Sequence, residues 1–496
     1  MLDEYRREYA SFHTAHMREH YLFLSGQKNS LQLEPIYDRY GDLFSEDSVA
    51  RLKQALDDTP EHFETERAAI HRLYTLAVEQ FLENSVKELT QQISEYEASA
   101  SIIVLDREMT FQDSAVAISS ERDREMRGAI YGKRLGVIEA SNDLRAERLG
   151  KLHDTARSLG HASYAALFEE LRRLSYEAVA RAAEALLTRT ENLYVARLNE
   201  ALRRDLGLGI EEATRADSIY FTHLTGFDER FPADRLLEVY TETMAGLGIR
   251  VQSQKNIAID KESRPRKSPR AFCLPVSVPG DIRLVIRPVG GQTDYQALFH
   301  ESGHAQHYAW ASEALRPEFR HTGDYALTET YAFLFNHLIS DGAWLASFLD
   351  FQEHREFIRS VMLARLVTVR RHVAKLIYER ELHRAGDLAR SADAYASLQT
   401  EATKFRTEPA EFLYDLDDSF YSASYLRAWA FEVALREHLK SRFGQRWWAS
   451  LRAGSFLKEI WETGDRYTVD EMAAQIGIGP ITFDPLIDEF NQALKG

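Results

Sequence analysis

Residues 297–310 read ALFHESGHAQHYAW and carry His300, Glu301, His304 and His307 on one stretch of helical character. His300 and His304 are one helical turn apart, so their side chains leave the same face about 6 Å from each other along the axis. Two imidazoles at that spacing reach a single tetrahedral ion with bonds of roughly 2.0–2.1 Å. Glu301 points slightly aside, where it can hydrogen-bond a water without binding the ion. This is the HExxH arrangement. Upstream, Thr293 followed by Gln296 predicts a capping box and a helix start. A solvated polar face is the competing reading, since composition alone gives about 0.05 such motifs in a chain of this length. The surroundings favour the metal: Ala297, Leu298 and Phe299 make the other face apolar, and a strand leads into the helix.

A catalytic ion needs a third protein ligand and one open position. In ALTETYAFLFNHL, residues 326–338, Glu329 stands among apolar and aromatic residues at helical spacing. A carboxylate buried in such a segment must be paired or metal-bound; the alternative is a solvated stripe. His307 is a second possible ligand, read here as a contact behind the ion or to substrate. A further string, HMREH at His16–His20 with His13 on the same face, is the inverted pattern HxxEH. It lies on a charged N-terminal segment without a lead-in strand, so a solvated face with chance histidines is expected there.

Outward from these motifs the chain reads as mainly α. Proline is scarce, 12 in all, and Glu177–Leu206 and Phe357–His383 carry apolar residues at helical spacing. From Ile249 to Pro288, β-branched residues alternate with polar ones, and Pro279-Gly280-Asp281 separates two such runs, a hairpin signal. Strands are expected near Lys255–Ile259, Ala271–Val278 and Ile282–Arg287, forming a small antiparallel sheet (about 250–288) beside the HExxH helix. Periodicity fades over residues 206–234, which suggests a helical lobe over 1–215 and a catalytic lobe over 216–496.

Composition narrows the function classes. With 496 residues, 44% hydrophobic and 28% charged, the chain can build one or more large cores. A net charge of −16 argues against nucleic acid and anionic membranes as partners. No run approaches the roughly 18–20 apolar residues of a membrane span. Cys273, the single cysteine, has no disulfide partner within the chain. The N-terminus, MLDEYRREYASFH, lacks a signal-peptide core. A cytoplasmic protein is expected; the oligomeric state is not legible.

The HESGHAQH string, the interval to Glu329 and the lead-in strand together resemble the thimet oligopeptidase and oligoendopeptidase F family of zinc peptidases, of the gluzincin type. The family's FHExGHxxH maps onto Phe299, His300, Glu301, Gly303, His304 and His307, its third glutamate onto Glu329, and TETYAFLFN (residues 328–336) resembles the segment around that glutamate. The resemblance extends over about residues 250–440. It implies a two-lobed, almost wholly helical protein with a deep central channel, one Zn2+ held by His300, His304 and Glu329, Glu301 as general base, and short unfolded peptides as substrates cut internally. In the family's tyrosine-rich segment, FYSASYLRAW (residues 420–429) supplies Tyr421 and Tyr425, but Leu416 stands where the family has a histidine and Ala428 where thimet-type members have a further tyrosine. Tyr421 and Tyr425 are the candidates for holding the developing oxyanion, with Arg427 as an outside possibility and aromatic core packing as the alternative. Ile282–Arg287 is expected to align the peptide as an added strand. Taq-type metallocarboxypeptidases share HExxH, but LTETY replaces their HESQS around the third ligand. A non-catalytic peptide-binding protein is the remaining alternative, and intact Glu301 speaks against it.

Overall fold

In the computed structural model, which describes residues 2–385 and 388–495, the expectation of a mainly helical chain is met. The two clearest helices run Tyr176–Leu206 and Arg355–Ala385, within a few residues of their sequence patterns. Ser175 starts the first by accepting the Ala178 amide, and Gly207, in the left-handed conformation at φ 69°, ends it.

Among the described residues five short strands interrupt the helices: β1 (Ser101–Val104), β2 (Arg107–Thr110), β3 (Ile257–Asp260), β4 (Phe272–Ser277) and β5 (Asp281–Val285). The hairpin read at Pro279-Gly280 joins β4 and β5, which pair antiparallel with Pro275 opposite Ile282. The rest of that sheet differs from expectation. Its order is β3-β5-β4, and β3 runs parallel to β5, so the sheet is mixed rather than antiparallel. Alternation identifies a strand but not its partner or direction. β5 is therefore central, both its edges are taken, and it cannot accept a peptide as a further strand; β3 and β4 are the edges. The β1–β2 hairpin was not foreseen. It covers only 4 residues per strand, and its Ile102 and Val104 enter a core with Phe111, Ile118, Ile130 and Ile138.

Contacts group the chain into two compact units, each built from three stretches: residues 1–81, 226–355 and 427–481 in the first, residues 82–225, 356–426 and 482–496 in the second. The chain thus passes between units repeatedly rather than dividing into 1–215 and 216–496. One passage, at Thr225–Gly226, falls inside the 206–234 interval; that interval nonetheless contains a helix, Arg215–His223, capped by Thr214 and Asp217.

The first unit holds β3–β5 and the helices Leu2–Leu24, Gln292–Trp310 and Tyr325–Asn336. Leu298 and Phe299, fully buried, are the apolar face expected opposite His300, and Phe299 meets Trp344 edge-on at 5.2 Å. Gly303 sets how near the last two helices lie. A Cβ there would come 2.4 Å from the Tyr331 carbonyl oxygen and 2.5 Å from Ala332 Cα, so only glycine permits this spacing.

Candidate metal centre

The helix carrying the motif begins at Gln292, not through a Thr293–Gln296 box. Gly291, at φ 97°, is the cap; the Asp228 carboxylate accepts the Gln292 amide, and Asp294 reaches back to accept the Val289 and Gly290 amides at 2.6 Å. Two aspartates thus bond amides at and just before the helix start, and neither serves the Gln296 amide that a Thr293 cap would accept.

His300 and His304 extend from this helix toward Glu329 on the neighbouring one. Nε2 of His300 lies 3.5 Å and Nε2 of His304 3.7 Å from Glu329 Oε2, and one donor atom from each of the three residues falls within 4.8 Å of the others. A tetrahedral ion with bonds of about 2.0–2.1 Å has donor–donor edges of roughly 3.3–3.4 Å. The three side chains therefore fit one ion with small adjustments. Their side-chain exposures of 18, 13 and 4% leave the imidazoles approachable from solvent and Glu329 nearly sealed. Glu329 is accordingly on no solvated stripe.

The electrostatics agree. Burial holds the His300 imidazole down to about 4 and, with His300 and His307 adding to it, the His304 imidazole well below the usual histidine range. Both rings are neutral near pH 7 and offer lone pairs. Two imidazoles and a carboxylate are the donor set of a borderline cation such as zinc.

Glu301, next in sequence, points elsewhere. Burial, reinforced by Glu329, raises its pKa to about 8, and the Cys273 backbone amide of β4 works against that rise. Glu301 thus lies outside the group formed by His300, His304 and Glu329. His307 is fully buried. Its Nε2 lies 3.2 Å from the Gly464 carbonyl and its ring 4.9 Å from Tyr331, so its contacts are interior ones.

The remaining candidates divide between the two units. Tyr421 and Tyr425 belong to the second unit, where they meet edge-on at 4.9 Å and Tyr425 meets His372 at 5.1 Å. Arg427 belongs to the first and is engaged by Asp324 at 2.9 Å and Asp470 at 2.7 Å. Those pairs give it a structural task. Leu416 joins an apolar cluster with Leu149, Tyr378, Leu382 and Tyr395, and Ala428 is fully buried.

The inverted motif is not a solvated face. His13 is 7% exposed, its Nε2 lies 2.9 Å from the Pro275 carbonyl of β4, and its ring is 4.1 Å from that of His321. Two features escaped the sequence reading altogether: the Cys273 amide on Glu301, and Thr328, whose Oγ1 lies 2.7 Å from His304 Nδ1. Both are tertiary contacts, and a threonine or a backbone amide carries no spacing signal of its own.

No family model and no curated protein matches the chain. Among solved structures, a Bacillus anthracis protein described as a candidate oligoendopeptidase F is similar over 98% of this chain and 89% of its own, with a TM-score of 0.66 and 14% identity. At that identity the likeness is one of architecture: the chain has a mainly helical fold with small sheets, like that of the oligoendopeptidase F protein.

Proposed function

We propose that the protein is a zinc-dependent oligopeptidase that hydrolyses internal bonds of short, unfolded peptides. The observation that carries this reading is the convergence of His300, His304 and Glu329 with Glu301 alongside but outside the ligand set. The fold shared with the Bacillus anthracis protein supports it. A cation held by the three ligands supplies Lewis-acid polarisation of the scissile carbonyl and a water acidified toward a pKa of about 7.

The chain's own residues do the rest. Glu301 takes the proton from the attacking water and delivers it to the leaving amine. The Cys273 amide fixes the carboxylate's orientation, and because it comes from β4 it ties the general base to an edge strand of the sheet. An extended peptide would join an edge, β3 or β4, with main-chain hydrogen bonds giving affinity at little sequence cost. The Pro275 carbonyl of β4 is already taken by His13, so any pairing along β4 stops short of that residue. Tyr421 and Tyr425 are proposed as donors to the oxyanion. The protein is further proposed to work in the cytoplasm; among the described residues no helix is long and apolar enough to cross a membrane.

The test is a mass-spectrometric product map of zinc-loaded wild type and Glu301→Gln with free and C-terminally amidated peptides and an unfolded protein. Internal cuts in both peptide kinds and none in the protein are expected, with turnover in Glu301→Gln lower by about 10²–10⁴-fold at unchanged metal content. Stepwise loss of C-terminal residues from free peptides alone would assign a Taq-type carboxypeptidase instead. No cleavage by zinc-loaded wild type would favour a peptide-binding protein.

A further inference from the structure

His304 and His300 are held by different means. The His300 ring is packed, tilted 5.3 Å from Phe333, which stacks on Trp429 at 4.9 Å. The His304 ring has a polar partner on the nitrogen turned away from Glu329: Thr328 Oγ1 lies 2.7 Å from Nδ1 while Nε2 faces the Glu329 carboxylate at 3.7 Å. Thr328 is 5% exposed, and its hydroxyl donates to the Tyr308 phenol oxygen at 3.4 Å. The Tyr308 ring lies nearly parallel to that of His304, 15° apart at 6.4 Å.

A threonine hydroxyl has one hydrogen and two lone pairs. In the orientation that turns its hydrogen to Tyr308, Thr328 accepts at Nδ1. A neutral imidazole carries one proton, so Nδ1 holds it and the Nε2 lone pair points at the place where Glu329 and His300 converge.

We propose that Thr328 is a positioning residue for the metal: it selects the His304 tautomer that can ligate through Nε2 and holds the ring plane toward the ion. The proposal rests on the reading of His300, His304 and Glu329 as a metal site. It also accounts for two functional residues side by side on one helix, Glu329 supplying a ligand and Thr328 orienting one supplied by the neighbouring helix.

The experiment measures zinc affinity by competition with a chromophoric chelator, and the visible absorption of the cobalt-substituted protein, for wild type, Thr328→Val, Thr328→Ser and Thr328→Ala. Outer partners of metal-bound histidines typically contribute about 10–100-fold in metal affinity. Thr328→Val, which keeps the shape and removes the hydroxyl, is expected to weaken zinc by that factor and to alter the cobalt bands, and Thr328→Ser to restore both to within about threefold of wild type. Thr328→Ala keeps the test open if the valine variant does not fold. Wild-type affinity and wild-type cobalt bands in a folded variant lacking the hydroxyl would overturn the proposal while leaving the metal site intact. Failure of the wild type itself to bind zinc would overturn the underlying reading and this inference with it.

Discussion

The first unit contains two helices with histidines four apart and a glutamate between them, and they do opposite things. On Gln292–Trp310, His300 and His304 meet a carboxylate from a second helix, and their donor atoms converge within 4.8 Å. On Leu2–Leu24, His16 and His20 lie with ring centroids 4.6 Å apart, yet among the described residues no third histidine, cysteine or carboxylate completes a set with them. His16 stacks on Phe12 at 5.3 Å instead, and the preceding His13 binds a strand carbonyl. Spacing along one helix thus supplies two ligands at most. What separates the two helices is a second element brought close enough to add a third donor, and here Gly303 permits that approach.

The contrast is broken most directly by removing the third ligand. Glu329→Ala is expected to lose bound zinc, lowering affinity by more than the 10–100-fold typical of an outer-sphere change, whereas the His16→Ala/His20→Ala double variant keeps one ion per chain; equilibrium dialysis with metal analysis reads both. If the double variant lost the ion and Glu329→Ala kept it, the two helices would have exchanged roles.

A smaller effect is expected from Gly303→Ala. The added methyl would lie 2.4–2.6 Å from backbone atoms of Tyr331 and Ala332, too close to be absorbed by a side-chain rotation. Overpacking of this kind costs about 1–3 kcal/mol. Urea unfolding should show that loss, and zinc affinity should fall with it because the displaced helix carries Glu329. A variant with wild-type stability and affinity would remove Gly303 from the explanation.

The smallest effect concerns the N-terminal helix. Burial holds His13 down to about 4 and His16 to about 3, against an ordinary value of 6.5, and His321 well below it. The unfolded chain therefore takes up protons before the folded chain does, so this part of the stability is present above about pH 6.5 and is lost as the pH falls toward 4. His13→Gln preserves a donor for the Pro275 carbonyl and removes one titrating group. Its unfolding free energy should depend less on pH between 4.5 and 6, by up to about 1.4 kcal/mol per pH unit. An unchanged slope in metal-free protein would show that His13 is not held neutral by the fold.

What could be read from the sequence follows the same division. Helix content, the β4–β5 hairpin and the residues that converge at His300, His304 and Glu329 were legible because each has a period or a conspicuous setting: His300 and His304 one turn apart, Glu329 standing out in an apolar run. The parallel β3–β5 pairing, the passages of the chain between units, and the aspartates that cap the Gln292 helix were not, since each depends on residues distant in sequence. Asp228, for instance, serves an amide 64 positions away. The N-terminal histidines were misjudged as solvated because the Leu2–Leu24 helix is rich in charge; only the tertiary fold shows which of its faces meets Pro275 and His321.

The most direct test of the central claim is X-ray absorption at the zinc edge on zinc-loaded wild type and Glu329→Ala. Two imidazole nitrogens and a carboxylate oxygen at about 2.0–2.2 Å in the wild type, with that shell absent from the variant, is the predicted result. A shell of the same composition in both proteins would place the ion elsewhere and contradict the assignment of His300, His304 and Glu329.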